Sequence, residues 1–208
     1  MTWSDLFERA GKQDVTVERI ADALAREREE RSGEGTTDRL DADIDVDPMA
    51  RVVADADVLA ADLLTGEASR EALDIVAGHD WIELVASEAL LADAEAVLGE
   101  IAGAELAGEW RARIDDLTTL VGHTGGDHPA LAAALHGDAR HVLSLDDRLQ
   151  SAGAGTVIRR EANVETSVRS PDAFARLFDP ASVYETIYGG HYPGPDHESR
   201  GGTPGTPE

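Results

Sequence analysis

The 208-residue sequence has no cysteine, only one lysine and few aromatic residues. Without cysteine there can be no disulfide framework, no thiolate zinc site and no cysteine nucleophile. No run of apolar residues approaches the ~20 that a membrane span requires, and the chain does not open on a cationic segment followed by an apolar run. These absences exclude disulfide-stapled and membrane-spanning classes, and they predict a cytoplasmic protein with no membrane partner.

Acidic residues, in contrast, are abundant. The chain has 42 Asp and Glu against 18 Lys and Arg, which gives a formal net charge of −24. The acids alternate with periodic apolar segments, so a packed domain is favoured over a disordered chain. At molar salt the Debye length falls to ~3 Å and surface carboxylates stop repelling one another at range. The composition therefore indicates adaptation to high intracellular salt, and a single acid is weak evidence for a functional site.

The first segment, residues 1–32, is predicted to be a helical arm. Thr2 and Asp5 can form a capping box, and an apolar repeat through Ile20 and Leu24 has helical spacing. The arm has a faint likeness to the first helix of a helix-turn-helix, but no recognition helix follows it. Packing or oligomerisation, as in a homodimer, is the better interpretation of this arm.

The rest of the chain divides by composition into three segments. Residues 33–50 are rich in Gly and Asp and predict an acidic linker. Residues 51–188 carry the apolar patterns of a folded domain. Residues 189–208 are rich in Gly and Pro and predict a disordered tail.

Strand and helix patterns alternate within the folded domain. Strands are predicted at 52–54, 81–85, 141–144, 156–158 and 164–168. A helix is predicted from about Glu105 to Val121, and a short one from His128 to Leu135. Alternation of this kind predicts an α/β fold with three α/β/α layers and a central, mostly parallel sheet of four or five strands, of Rossmann type.

Four aspartates occupy defined places in this pattern. Asp55 and Asp146 each follow a predicted strand, and carboxyl ends of parallel strands meet at one crevice. Asp93 lies on the helix that begins near Ser87, and Asp127 stands where it would cap the helix of residues 128–135. Clustered carboxylates repel one another unless a cation lies between them, and their hard oxygens suit Mg²⁺ or Mn²⁺. The four positions therefore predict a metal-binding pocket.

The segment from Arg51 to about Phe178 resembles a PIN domain of the PilT N-terminus nuclease family, in a halophilic archaeal form. The resemblance rests on five motifs in the family's order, which are VVAD at 52–55, LLAD at 90–93, DHPALAAAL at 127–135, SLD at 144–146 and SPDAF at 170–174. The sequence also departs from the family. Asp57 stands where Asn or Ser is common, Asp93 is one methylene shorter than the usual Glu, and Leu145 occupies a position that is more often small or polar.

The resemblance implies a hydrolase that cleaves RNA phosphodiesters with one or two divalent ions, Mg²⁺ or Mn²⁺. RNA is then the expected partner, together with an antitoxin protein if the chain is a toxin of a toxin–antitoxin pair. The implied catalytic and metal-ligating set is Asp55, Asp93, Asp127 and Asp146. Side chains that orient this set or contact substrate are implied at Asp57, Ser144 and Asp147.

Two other functions remain open at this stage. An apolar strand followed by Asp-Ala-Asp also opens the haloacid dehalogenase phosphatases, but Val58 and Leu59 fit that motif poorly and Lys12 is the only candidate for its catalytic lysine. The second alternative is a non-catalytic PIN-like protein that binds RNA or a protein partner. None of the seven histidines is assigned a role.

Overall fold

The computed structural model describes residues 2–31, 44–123, 127–151 and 166–201, and a five-stranded sheet forms its centre. The strands are β1 (Arg51–Ala54), β2 (Glu83–Ser87), β3 (Thr118–Val121), β4 (His141–Leu143) and β5 (Ser167–Arg169). They are all parallel and lie in the order β3-β2-β1-β4-β5. Helices flank this sheet, so the predicted three-layer α/β/α fold is confirmed.

The helices are numbered in chain order through the described residues. They are α1 (Trp3–Ala10), α2 (Val17–Arg31), α3 (Ala56–Leu64), α4 (Glu67–Ala77), α5 (Glu88–Ala102), α6 (Ala104–Asp115), α7 (Pro129–His136), α8 (Asp147–Gln150), α9 (Pro171–Leu177) and α10 (Pro180–Tyr188), with a 3-10 turn at Pro48–Ala50. The capping box of Thr2 and Asp5 is present as predicted. Within the described ranges, none of these helices is long and apolar enough to cross a membrane.

The third strand corrects the sequence analysis, which predicted a single helix from about Glu105 to Val121. Helix α6 ends at Asp115, and β3 follows at Thr118–Val121, paired in parallel with β2. The β-branched residues of β3 favour extended backbone, and the edge of β2 supplies hydrogen-bond partners for it. The prediction was wrong because a short strand directly after a strong helix pattern has little periodicity of its own.

Two other predicted strands shift at their ends. The second begins at Glu83 rather than at Trp81, whose ring lies edge-on to Tyr184. The last covers Ser167–Arg169 rather than 164–168. The strand predicted at 156–158 lies outside the described residues.

The N-terminal arm packs into the same core as the sheet. Leu6 of α1 and Ile20 of α2 are both completely buried and belong to the main apolar cluster. Helix α2 lies against α3 and α5, whose N-terminal halves border the carboxyl edge of the sheet. The C-terminal half of α2 is thereby brought to the place where Asp55 ends β1.

The segment 189–201 contains no helix or strand, but it is anchored by specific contacts. The guanidinium group of Arg200 donates to both carboxylate oxygens of Asp62, at 3.0 and 2.9 Å, and its Nε atom donates to Asp74 at 2.8 Å. The side chain of Arg200 is only 6% exposed. Arg200 thus joins this segment to two helices that are distant in sequence, a set of contacts that its Gly- and Pro-rich composition does not indicate.

Candidate active site

The candidate site lies at the carboxyl ends of β1, the central strand, and of its neighbour β4. Chain order runs from β1 through β2 to β3 on one side of this point, and from β4 to β5 on the other. Ligands of open parallel sheets bind in the crevice outside such a switch in strand order. Residues that directly follow β1 and β4 are thus the first candidates for function.

Asp55 follows β1 and starts α3. Its backbone N–H donates to the carbonyl of Leu143 at 2.8 Å and so continues the pairing of β1 with β4. Its side chain is completely buried, and its Oδ1 atom accepts the backbone N–H of Ala56 at 2.8 Å. The carboxylate is therefore fixed at the N-terminus of α3, where the helix dipole favours negative charge.

Ser144 links two of the carboxylates. Its Oγ atom lies 3.2 Å from Oδ2 of Asp55 and 3.2 Å from Oδ2 of Asp57, and all three side chains are buried. The backbone N–H of Leu145 also donates to Oδ2 of Asp57, at 3.0 Å. Asp57 is thus held by the turn that follows β4, although it lies in the first turn of α3.

The carboxyl group of Asp57 is an unusually weak acid. Burial, together with the negative charge of Asp55, raises the pKa of Asp57 to about 8, although the N–H of Leu145 acts in the opposite direction. Its Oδ1 atom is buried and has no hydrogen-bond partner of good geometry among the described residues. With α2 in place, this raised pKa favours the protonated form of Asp57 at neutral pH.

Asp93 comes to the site from α5. Ser87 accepts the N–H of Leu90 and starts this helix where β2 ends, as the sequence predicts. Asp93 lies in the second turn and is only 2% exposed. Its carboxylate reaches the carboxylate of Asp55 through one shared partner, Arg28 of α2.

Arg28 bridges the two carboxylates. Its Nη2 atom donates to Oδ1 of Asp55 at 2.7 Å, and its Nε atom donates to Oδ2 of Asp93 at 3.1 Å. Burial opposes the charged guanidinium, but the charges and hydrogen bonds of these two aspartates outweigh it and raise the pKa of Arg28 above its usual value. Arg31, one turn further along α2, forms a second ion pair with Asp93.

His128 completes this polar cluster. Its Nε2 atom lies 2.8 Å from Nη1 of Arg28 and 3.7 Å from Oδ2 of Asp55. Burial lowers the pKa of His128 despite the nearby carboxylate charge of Asp55. The ring is therefore neutral, with Nε2 accepting from Arg28 and the proton on Nδ1.

The other site residues predicted from the sequence lie further from the buried carboxylates. Asp146 is half-buried; its side chain caps α8 by accepting the N–H of Arg148, and its own N–H donates to Oγ of Ser144 at 3.1 Å. Asp127 is exposed, and the N-cap of α7 is His128, so the expectation that Asp127 caps this helix is wrong. Asp147 is exposed at the start of α8.

Sequence reasoning missed Arg28, Arg31 and His128. The signal for the two arginines was present, because residues three apart on a helix project from the same face and cations are scarce in this chain. Their target was not visible, since 62 residues separate Arg31 from Asp93. Their pairing with the acids follows from how α2 docks.

The donor set can be compared with the needs of a divalent cation. Buried carboxylates such as Asp55, Asp57 and Asp93 are hard oxygen donors of the kind that Mg²⁺ and Mn²⁺ prefer. As the side chains stand in the described ranges, no three His, Asp or Glu residues form a group that could hold a metal ion. The donors thus suit such an ion chemically, while in this arrangement Arg28 and Arg31 supply the positive charge.

Comparison with known proteins gives a family match. Residues 46–200 match a family of unknown function, DUF7384, whereas no curated protein and no solved structure matches the chain. The matched segment begins just before β1, so it contains the aspartates of the site but neither α1 nor α2. Because the match extends over about three quarters of the sequence, the chain belongs to this family of unknown function, DUF7384.

Proposed function

We propose that this protein is a cytoplasmic, divalent-metal-dependent endoribonuclease of the PIN type, which hydrolyses RNA phosphodiesters. The observation that supports the proposal most is the burial of Asp55, Asp57 and Asp93 at the carboxyl edge of the sheet. Burying a carboxylate is costly unless a cation lies beside it, so several buried carboxylates at one sheet edge indicate a cation site. The switch in strand order beside β1 is also the usual position of a ligand site in such sheets.

Each residue of the site would have a role that follows from its position. Asp55 and Asp93 would hold Mg²⁺ or Mn²⁺, with Asp57 beside them and Asp146 joined to the cluster through Ser144. The bound ion would supply a more acidic water and neutralise charge on the phosphate. Ser144 would orient Asp55 and Asp57 through its hydroxyl group.

RNA binding has to overcome the net charge of −24. At molar salt the counterion-release contribution to nucleic-acid affinity is small, so binding would depend on local contacts. Arg148 is exposed on α8, two residues after Asp146, and is placed to contact a phosphate beside the site. If the protein is a toxin, an antitoxin protein would be its second partner.

One observation favours a second candidate, a non-catalytic PIN-like protein that binds RNA or a protein partner. Arg28 and Arg31 pair with Asp55 and Asp93 and neutralise charge that a catalytic ion would otherwise neutralise. The side chain of Asp93 is also one methylene shorter than the glutamate that is usual in the PIN family. In this alternative the ion pairs serve to dock α2, and the acids are kept for stability or for a metal that is bound without turnover.

Metal binding and RNA cleavage separate the two candidates. The full chain in molar KCl is titrated calorimetrically with millimolar Mn²⁺ and incubated with a mixed RNA substrate. We expect Mn²⁺ binding and cleavage by the wild type, and loss of both in Asp55→Asn. Asp14→Asn, which removes one exposed carboxylate far along the chain from the site, serves as the matched control and should behave as the wild type. Mn²⁺ binding without cleavage would favour the non-catalytic protein, and absence of both would end the nuclease proposal.

A further inference from the structure

Helix α2 is attached to the domain in two different ways along its length. In its first half, Ile20, Ala23 and Leu24 are buried in the core. In residues 25–31 no side chain is buried, and the contacts to the rest of the domain include ion pairs with acids of α3 and α5. The second half is therefore the part of α2 that can leave without opening the apolar core.

Two cations of this half lie directly on the carboxylates. Arg28 contacts Asp55 and Asp93, and Arg31 contacts Asp93. The arginines are 25% and 32% exposed, whereas the aspartates are nearly inaccessible. Together they bring two positive charges to these acids, which is the charge that one divalent ion would bring.

We propose that residues 25–31 of α2 act as a latch over the site, in which Arg28 and Arg31 compete with a divalent cation for the oxygens of Asp55 and Asp93. The site then takes up the ion and an RNA phosphate only when the latch is open. This inference rests on the metal-dependent function proposed above. It adds that the closed arrangement is an inhibited form of the same site.

The energetics couple latch opening to ion binding. Opening the latch alone separates Asp55 and Asp93 from their countercharges, which is unfavourable. A bound divalent ion removes that penalty, so the ion binds the open form better and shifts the population toward it. Arg26, on the same half of α2, pairs with Glu100 of α5. Both side chains are about half exposed, so this pair contributes little to holding the latch closed.

The family match supports treating the latch as an addition to the site. The acids lie within residues 46–200, whereas α2 lies before that segment. A covering element outside the family segment can regulate the site without belonging to its chemistry.

The first test compares two double variants of the full chain. Arg28→Ala with Arg31→Ala removes the latch contacts. Arg19→Ala with Arg26→Ala removes two arginines from the same helix that are exposed and lie off the site. The control matches the loss of two positive charges, so an effect of net charge alone appears in both variants.

Mn²⁺ affinity, measured by calorimetry in molar KCl, is the readout. We expect the latch variant to bind Mn²⁺ about tenfold or more tightly than the control variant, because apparent affinity rises with the fraction of open molecules. Equal and measurable Mn²⁺ affinities in the wild type and both variants would overturn the latch and leave the metal-dependent function intact. Absence of Mn²⁺ binding in all three proteins would instead remove the proposed function, and the latch with it.

A second test keeps both arginines and so does not depend on the folding of the latch variant. Since the chain has no cysteine, Arg26→Cys with Glu100→Cys creates a unique pair on facing positions of α2 and α5. A short bis-maleimide then ties the latch shut. We expect the cross-linked protein to bind Mn²⁺ about tenfold or more weakly than the same variant before cross-linking. Unchanged Mn²⁺ affinity after complete cross-linking would refute the latch.

Discussion

The Oγ atom of Ser144 lies 3.2 Å from the Oδ2 atom of Asp57, where the turn after β4 meets the first turn of α3. The same oxygen is equally close to Asp55, but a hydroxyl group has one proton and can donate to only one carboxylate at a time. A protonated Asp57 resolves this conflict, since it removes one negative charge and adds a donor. The geometry around Ser144 therefore agrees with the raised pKa of Asp57.

Asp57→Asn should change how stability depends on pH. Between pH of about 4 and about 8 the unfolded chain has released this proton while the folded chain keeps it, so Asp57 makes a contribution that lowers the stability of the wild type as pH rises. Asparagine cannot titrate and keeps an oxygen that can accept from Leu145. The variant should gain stability relative to the wild type across this range, by about 2 kcal/mol or more, and the difference should be constant above it.

Urea unfolding in molar KCl with chelator present, repeated at several pH values, measures this difference. Asp14→Asn removes an exposed carboxylate and should follow the wild type at every pH. A gap between Asp57→Asn and the wild type that does not change between pH of about 4 and about 8 would show that Asp57 is ionised in the folded protein.

His141 should produce the opposite pH dependence. Burial, together with the charge of Arg169, lowers the pKa of His141 to about 4, and its Nε2 atom lies 3.2 Å from the carbonyl of Met49. As pH falls from about 6.5 to about 4 the unfolded chain takes up a proton at His141 before the folded chain does, so this group lowers the stability of the wild type and opposes the contribution of Asp57. His141→Gln retains a donor for Met49 and should gain stability relative to the wild type as pH falls through this range.

The measurement is the thermal midpoint across the same pH range, with His191→Gln as the matched control. His191 is exposed, so its replacement should leave the pH dependence of the wild type unchanged. A stability difference between His141→Gln and the wild type that stays constant across this range would show that folding does not lower the pKa of His141.

The fold was largely predictable because alternation of strand and helix patterns is a local signal. The sequence indicates the parallel sheet, the cap at Ser87 and the capping box at Thr2, each of which depends on neighbouring residues. The strand Thr118–Val121 was missed because its pairing with β2, not its own periodicity, determines it. Pairing partners that are distant in sequence leave no pattern in a short segment.

In the candidate site, too, residues placed by local signals could be predicted and residues placed by long-range packing could not. Asp55, Asp57 and Ser144 could be predicted because they lie next to strand ends, which topology brings together. The guanidinium groups of Arg28 and Arg31 could not, since their position depends on how a whole helix packs. The acids of the site are thus visible in the sequence, and the cations that cover them are not.

Arg200→Ala should destabilise the protein strongly. Removing this guanidinium leaves the buried carboxylate of Asp62 without its bidentate partner, and breaking one side of a buried ion pair costs about 3 kcal/mol or more. The matched control is Arg176→Ala, which breaks a pair with Asp172 whose side chains are 70% and 54% exposed and should have little effect. Urea unfolding measures both variants, and similar losses would mean that Arg200 does not anchor the segment 189–201.

Gly137→Ala should destabilise the fold for a steric reason. Gly137 ends α7, and a methyl group there would lie 2.5 Å from Cγ1 of Val85 and 3.0 Å from the carbonyl oxygen of Ala133. Val85 is completely buried in β2 and cannot move aside, so we expect a loss of about 1–3 kcal/mol in the free energy of unfolding. Gly108→Ala makes the same change on α6, where nothing lies within 4 Å of the new methyl group, and should gain roughly 0.5–1 kcal/mol. Urea unfolding of both variants tests this, because the two changes in the free energy of unfolding should have opposite signs. A gain in stability in Gly137→Ala would contradict the packing of α7 against β2.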